Sequence, residues 1–183
     1  MDDFTIESLK KLRSALDSQD NLALKSLAGQ FAAEALARED PHFVDLAILA
    51  YSFAKFLEKH NIVETPEWRA LLKRTLTTLN EAREEAKAGN VEECHTRVAS
   101  LLPELEDLSK SLGKFVTNVV DKARIKTATQ LYAHGASLSR AAEFAHAEKR
   151  EVASYISATH LPEKYRTIPV RRRLQLAEQA FSE

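Results

Sequence analysis

The sequence has few of the residues on which disulfide-rich, β-rich or membrane proteins depend. Cys94 is the single cysteine among 183 residues, which excludes an internal disulfide and any multi-cysteine zinc site. Four glycines and five prolines leave little material for the turns of a many-stranded β protein. No stretch approaches the roughly 20 apolar residues of a membrane span. We therefore predict an all-α fold and no membrane partner.

The first residues of the sequence and the cysteine content bear on the compartment in which the protein is expected. Its residues, MDDFTIESLKK, are acidic and contain no long apolar run of the kind that a signal peptide carries. The lone cysteine is typical of a reducing compartment. Both features predict a cytoplasmic protein.

Charge is divided unevenly along the chain. The formal net charge of -1 combines residues 1–109, with 13 Lys/Arg against 20 Asp/Glu, and residues 110–183, with 13 against 7. The two parts thus carry -7 and +6. We predict an acidic helical bundle followed by a basic region, whose charge favours an anionic partner. The same separation would also let the two parts attract each other without any ligand.

Apolar spacing and capping residues predict the helices of the acidic part. Thr5 is a candidate cap for the first helix. Residues 43–57 are apolar on most sides, which is typical of a helix at the centre of a core. Thr65 and Pro66 form a strong start signal for a helix over about 66–88 that Gly89 would end.

The following segment predicts a long connection into the basic region. Pro103 should kink or break a fifth helix, and apolar residues then continue at helical spacing over about 105–134, with a bend near Gly113. One long helix would thus join the two parts. The N-terminal part resembles a bundle of helical hairpins, since no sustained 34-residue period supports a solenoid.

Residues 126–158 have the pattern of a helix-turn-helix. Gly135 can end one helix, and Ser137 or Ser139 can cap the next. His146 occupies the turn position that glycine usually holds, and histidine reaches left-handed geometry more often than most residues. Small residues would let the two helices approach closely, and apolar ones would form the face of the second helix. These are Ala141, Ala142 and Ala145 in the first and Val152, Tyr155 and Ile156 in the second. A plain helical hairpin is the alternative.

The second helix of this motif would offer Lys149, Arg150 and Ser154 to the major groove of DNA. Other cations nearby are candidate phosphate contacts. They are Lys122, Arg124 and Lys126 on the helix that precedes the turn and Arg171, Arg172 and Arg173 after the motif. The alternative is a solvated charged face. A terminal amphipathic helix over 169–181 could pack on the core, a partner or a second subunit of a homodimer.

Three stretches resemble an archaeal family of uncharacterised helical proteins. They are VDLAILAYSFAKFLEKH, VETPEWRALLKR and LSKSLGKFVTNVVDKARIKTATQLYAHGASLSRAAEFA. The resemblance covers nearly the whole chain and implies an antitoxin-like or regulatory role beside PIN-domain ribonucleases. The sequence departs from the family at the turn, where HAEK stands in place of Gly-Val-Ser.

Sequence patterns for catalysis are missing. No phosphate-loop, dinucleotide, zincin or esterase motif occurs. Cys94 and His95 are adjacent, so on a helix they point about 100° apart and do not form a nucleophile pair. We predict no enzyme, cofactor or metal. We predict a regulator that binds DNA, with RNA left open, and the alternative is a helical interaction protein that holds a protein partner, for example a nuclease.

Overall fold

The computed structural model describes residues 3–111 and 118–159, and within these ranges the chain forms ten helices and no strand. The predicted all-α class is therefore confirmed. No helix in the described ranges is long and apolar enough to cross a membrane. The helices are α1 Asp3–Asp17, α2 Asn21–Ala37, α3 His42–Leu57, α4 His60–Val63, α5 Pro66–Ala88, α6 Val91–Ala99, α7 Leu101–Ser111, α8 Val119–Ala133, α9 Leu138–Phe144 and α10 Lys149–Thr159.

Helix α3 lies at the centre of the core, as its sequence predicts. Eleven of its sixteen residues are buried, and α2 and α8 pack extensively against it. One apolar cluster extends from Leu9 in α1 to Val152 in α10. The basic part of the chain thus shares a core with the acidic part, while the predicted boundary at residue 109 stays a prediction.

The ends of α5 form as the local signals predict. The Thr65 hydroxyl accepts the backbone N–H of Trp68 at 3.2 Å, and Pro66 is the first helical residue. Gly89 follows the helix with a left-handed φ of 83°, a conformation that glycine adopts without a Cβ clash. Trp68 is 1% exposed and packs on Phe53, with ring centroids 5.6 Å apart.

Two predicted boundaries differ from the structure. Thr5 does not cap α1, because the helix already includes Asp3. The negative charge of Asp3 interacts favourably with the positive end of the helix dipole. The break near Pro103 comes earlier, at Ser100. Pro103 is the third residue of α7, where its missing N–H removes no intrahelical hydrogen bond.

Helices α7 and α8 are separate, whereas we predicted one long helix over 105–134. Asn118, just before α8, has a left-handed φ of 70°, and Gly113 lies outside the described residues. Arg124 donates to the Glu106 carboxylate at 2.7 Å, although a straight helix would hold these residues about 27 Å apart. The chain therefore folds back, which brings α8 against α2 and α3.

Candidate nucleic-acid interface

The turn between α9 and α10 has the geometry that the sequence predicts for it. Ser137 is the cap of α9, because its hydroxyl accepts the Arg140 N–H at 3.2 Å. At the other end of α9, the Ala147 N–H donates to the Ala142 carbonyl at 2.9 Å. His146 lies within the turn that this second hydrogen bond closes and has a left-handed φ of 49°. It thus adopts the conformation that a glycine usually supplies at this position.

Helices α8, α9 and α10 pack against one another. The alanines of α9 and the turn are buried at this contact, and Val152 of α10 is 0% exposed. Since alanine side chains are small, the helices can approach closely. Tyr155 and Ile156 are only partly buried. The buried alanines are Ala141, Ala142 and Ala145.

An open groove lies between α8 and α10. Ile125 of α8 and Arg150, Glu151, Ser154 and Tyr155 of α10 line it. Beside it, the Nζ atom of Lys126 lies 5.7 Å from the ring centroid of Tyr155. The structure therefore gathers three of the predicted interface residues, Arg150, Ser154 and Lys126, around a single groove.

Two further predicted lysines, Lys149 and Lys122, are not part of the lining of this groove. The Lys149 Nζ atom donates to the Ser139 hydroxyl of α9 at 2.7 Å. Because successive helical residues point about 100° apart, Lys149 and Arg150 face different sides of α10. Lys122 is exposed and stands one helical turn before Lys126, on the same side of α8.

Arg124 differs from the other predicted phosphate contacts. Its guanidinium pairs with Glu106 at 2.7 Å and with Asp121 at 3.3 Å, and its side chain is 24% exposed. A phosphate would have to compete with both carboxylates for these donors. Arg124 therefore links α7 to α8. The predicted contacts Arg171, Arg172 and Arg173 and the terminal helix over 169–181 lie outside the described residues.

A polar stripe on α3 also reaches this region, and the sequence reading missed it. The Nζ atom of Lys55 lies 5.5 Å from the Tyr51 ring centroid and pairs with Glu58 at 2.9 Å. Glu58 also pairs with Lys25 of α2 at 2.7 Å. The signal was present, because Tyr51 and Lys55 are four residues apart on a largely apolar helix and Glu58 follows three residues later.

A second group of ionisable side chains lies at the opposite end of α3. The rings of His42 and His95 stack with centroids 3.2 Å apart. Burial, and then the charge of His42, lower the pKa of His95. Burial raises the pKa of Cys94 to about 11, which keeps it a thiol and a poor nucleophile. Among the described residues, no three His, Cys, Asp or Glu side chains are placed to hold a metal ion.

Comparison with known proteins adds nothing to this geometry. No protein-family model, no curated protein and no solved structure matches the chain. The resemblance to an archaeal family therefore stays a prediction, and the function rests on the chemistry of the site alone.

Proposed function

We propose that the protein is a cytoplasmic regulator that binds duplex DNA through α8, α9 and α10. Helices α9 and α10 then act as a helix-turn-helix, and α10 enters the major groove. The observation that carries the proposal is the groove beside the His146 turn, where Arg150, Ser154 and Lys126 lie together.

The residues of the groove suit different parts of the DNA. Arg150 can donate two hydrogen bonds to a guanine edge, and Ser154 can donate to or accept from any base. Glu151 lines the same groove and would repel a phosphate there. A base edge is therefore the better occupant of the groove.

The lysines around the groove suit the phosphates on either side. Lys122 and Lys126 project from α8, and Lys149 is held against Ser139 on the far side of α10. Phosphate contacts of this kind fix the register and orientation of the protein but carry no sequence information directly. Arg124 has no place in this interface, since two carboxylates already hold its guanidinium.

Fluorescence anisotropy with labelled random-sequence duplex DNA over a salt series tests the proposal. Lys126→Ala should lower the affinity and reduce the slope of log K against log salt by about 0.9. On a preferred sequence selected from the same random pool, Arg150→Ala should cost about 1–3 kcal/mol of binding free energy. Lys73→Ala is the matched control, because it removes one charge from an exposed position on α5.

The absence of binding at low salt would overturn the proposal and favour the predicted protein-interaction alternative. Equal losses in Lys126→Ala and Lys73→Ala would also contradict it, because they would reflect net charge alone. Duplex RNA of the same sequence is the second probe. Tighter binding to RNA would contradict major-groove reading, since the deep major groove of RNA does not admit side chains.

A further inference from the structure

Four side chains from three helices gather where α3, α8 and α10 meet. The tyrosine–lysine cluster comprises Tyr51 and Lys55 of α3, Lys126 of α8 and Tyr155 of α10. Helix α8 packs against both α3 and α10, whereas α3 and α10 make little direct contact. Helix α8 therefore lies between the other two, and the cluster spans it.

The cluster forms one electrostatic neighbourhood. In each half of it a lysine Nζ atom lies near a tyrosine ring, at 5.5 Å for Lys55 on Tyr51 and 5.7 Å for Lys126 on Tyr155. Tyr155 also lies close enough to both α3 residues to influence their pKa values. The pKa of Tyr51 is raised, first by burial, and Tyr155 adds to the rise while Lys55 opposes it. The pKa of Lys55 is raised, first by its hydrogen bond to Glu58, and Tyr155 contributes.

The charge around the cluster is opposite in sign to that of the N-terminal part as a whole. Lys25 and Lys55 share a single carboxylate, Glu58, at 2.7 and 2.9 Å, and Lys126 adds a third cation. The side chains of Lys25 and Lys55 are 39% and 34% exposed. Ion pairs that are this open to solvent contribute little to stability. A role in stabilising the fold therefore does not explain why Lys25, Lys55 and Lys126 lie close together on this surface.

We propose that the tyrosine–lysine cluster, together with Lys25, extends the contact with the sugar–phosphate backbone of the DNA that α10 binds from α8 and α10 to α3 and α2. This inference rests on the proposed function. Lysine ammonium groups and tyrosine hydroxyls are common donors to phosphate oxygens. The interface then runs from α10 over α8 to α3, and the acidic surface elsewhere on the N-terminal part repels the duplex and fixes its orientation.

Two substitutions in the whole chain, one that removes a positive charge and one that removes a negative charge, test the cluster. DNA binding is measured with the same DNA and the same salt series as above. Lys55→Gln should lower the affinity severalfold and reduce the salt slope by about 0.9, because one phosphate contact is lost. Glu58→Gln should raise the affinity, because it removes the carboxylate that competes with phosphate for Lys25 and Lys55. Tyr51→Phe should weaken binding without changing the slope, since it removes a donor but no charge. Lys73→Gln on α5 is the control.

The pattern of effects separates failure of the cluster from failure of the proposed function. If Arg150→Ala weakens binding while Lys55→Gln and Glu58→Gln both match the control, the cluster is not a contact and the role of α10 stands. If the wild-type protein binds no nucleic acid, both proposals fall. If the Glu58→Gln variant binds DNA more weakly, the ion pairs of Glu58 with Lys25 and Lys55 serve the fold. That result would contradict the cluster as a DNA contact. If Lys55→Gln does not fold, Glu58→Gln and Tyr51→Phe decide the matter.

Discussion

Helices α3 and α10 both pack against α8, but they differ in what they bury. Helix α3 buries eleven of its sixteen residues, whereas α10 buries only Val152 among its eleven. An apolar helix surrounded by others supplies folding free energy through the area that it removes from water. Helix α10 supplies little of this and presents Lys149, Arg150 and Ser154 to solvent. Helix α3 therefore contributes more to stability, and α10 keeps the exposed surface that the proposed DNA contact requires.

The largest predicted effect is the loss of a large side chain from α3. Phe53 is 0% exposed and packs on Trp68, so Phe53→Ala should lower the free energy of unfolding by about 3–5 kcal/mol. Ser154→Ala on the exposed face of α10 should change it by less than about 0.5 kcal/mol. Urea unfolding followed by circular dichroism gives both values. Similar losses in the two variants would break the comparison.

A smaller effect is predicted at the turn that leads into α10. His146 has a φ of 49°, which costs a residue with a Cβ about 1 kcal/mol or more. His146→Gly should therefore raise the free energy of unfolding, by about 0.5–1 kcal/mol after the greater entropy loss of glycine is counted. The same change at His134, where φ is -90°, relieves no strain and should destabilise the protein. If both changes destabilise it, the turn is not strained.

The sequence predicts these local features well, because the information lies within a few residues of each. Thr65 caps α5, Ser137 caps α9, and His146 takes the left-handed turn conformation. Contacts between segments that are distant in the sequence could not be predicted in this way. Neither periodicity nor capping reveals that α8 folds back, so the pairing of Arg124 with Glu106 could not be predicted.

The candidate site shows the same limit. The cations of α10 could be read from the sequence, since they follow a turn signal. The influence of Tyr155 on the pKa of Tyr51 links residues about a hundred positions apart, and it depends on how α3, α8 and α10 pack. The stack of His42 on His95 likewise requires the packing of α3 against α6.

The smallest predicted effect is a pH dependence that comes from His95 of α6, whose ring stacks on that of His42, the first residue of α3. Burial and His42 lower the pKa of His95 from its usual 6.5 in the folded protein, so the unfolded chain binds the proton more readily. As far as it depends on His95, the free energy of unfolding is then highest above pH 6.5, and it falls as the pH drops from 6.5 towards the lowered pKa of His95. His95→Gln should reduce this fall, whereas His60→Gln at an exposed position on α4 should not. Urea titrations on both sides of pH 6.5 give the values, and equal pH dependence in the two variants would contradict the prediction.

Hydrogen–deuterium exchange of the full-length protein, with and without saturating duplex DNA, tests the central claim most directly. If α8, α9 and α10 bind DNA, amides in residues 119–133 and 138–159 should exchange more slowly in the complex, while those of α5 and α6 should not change. Protection that is absent from α10, or that is confined to α5 and α6, would contradict the claim.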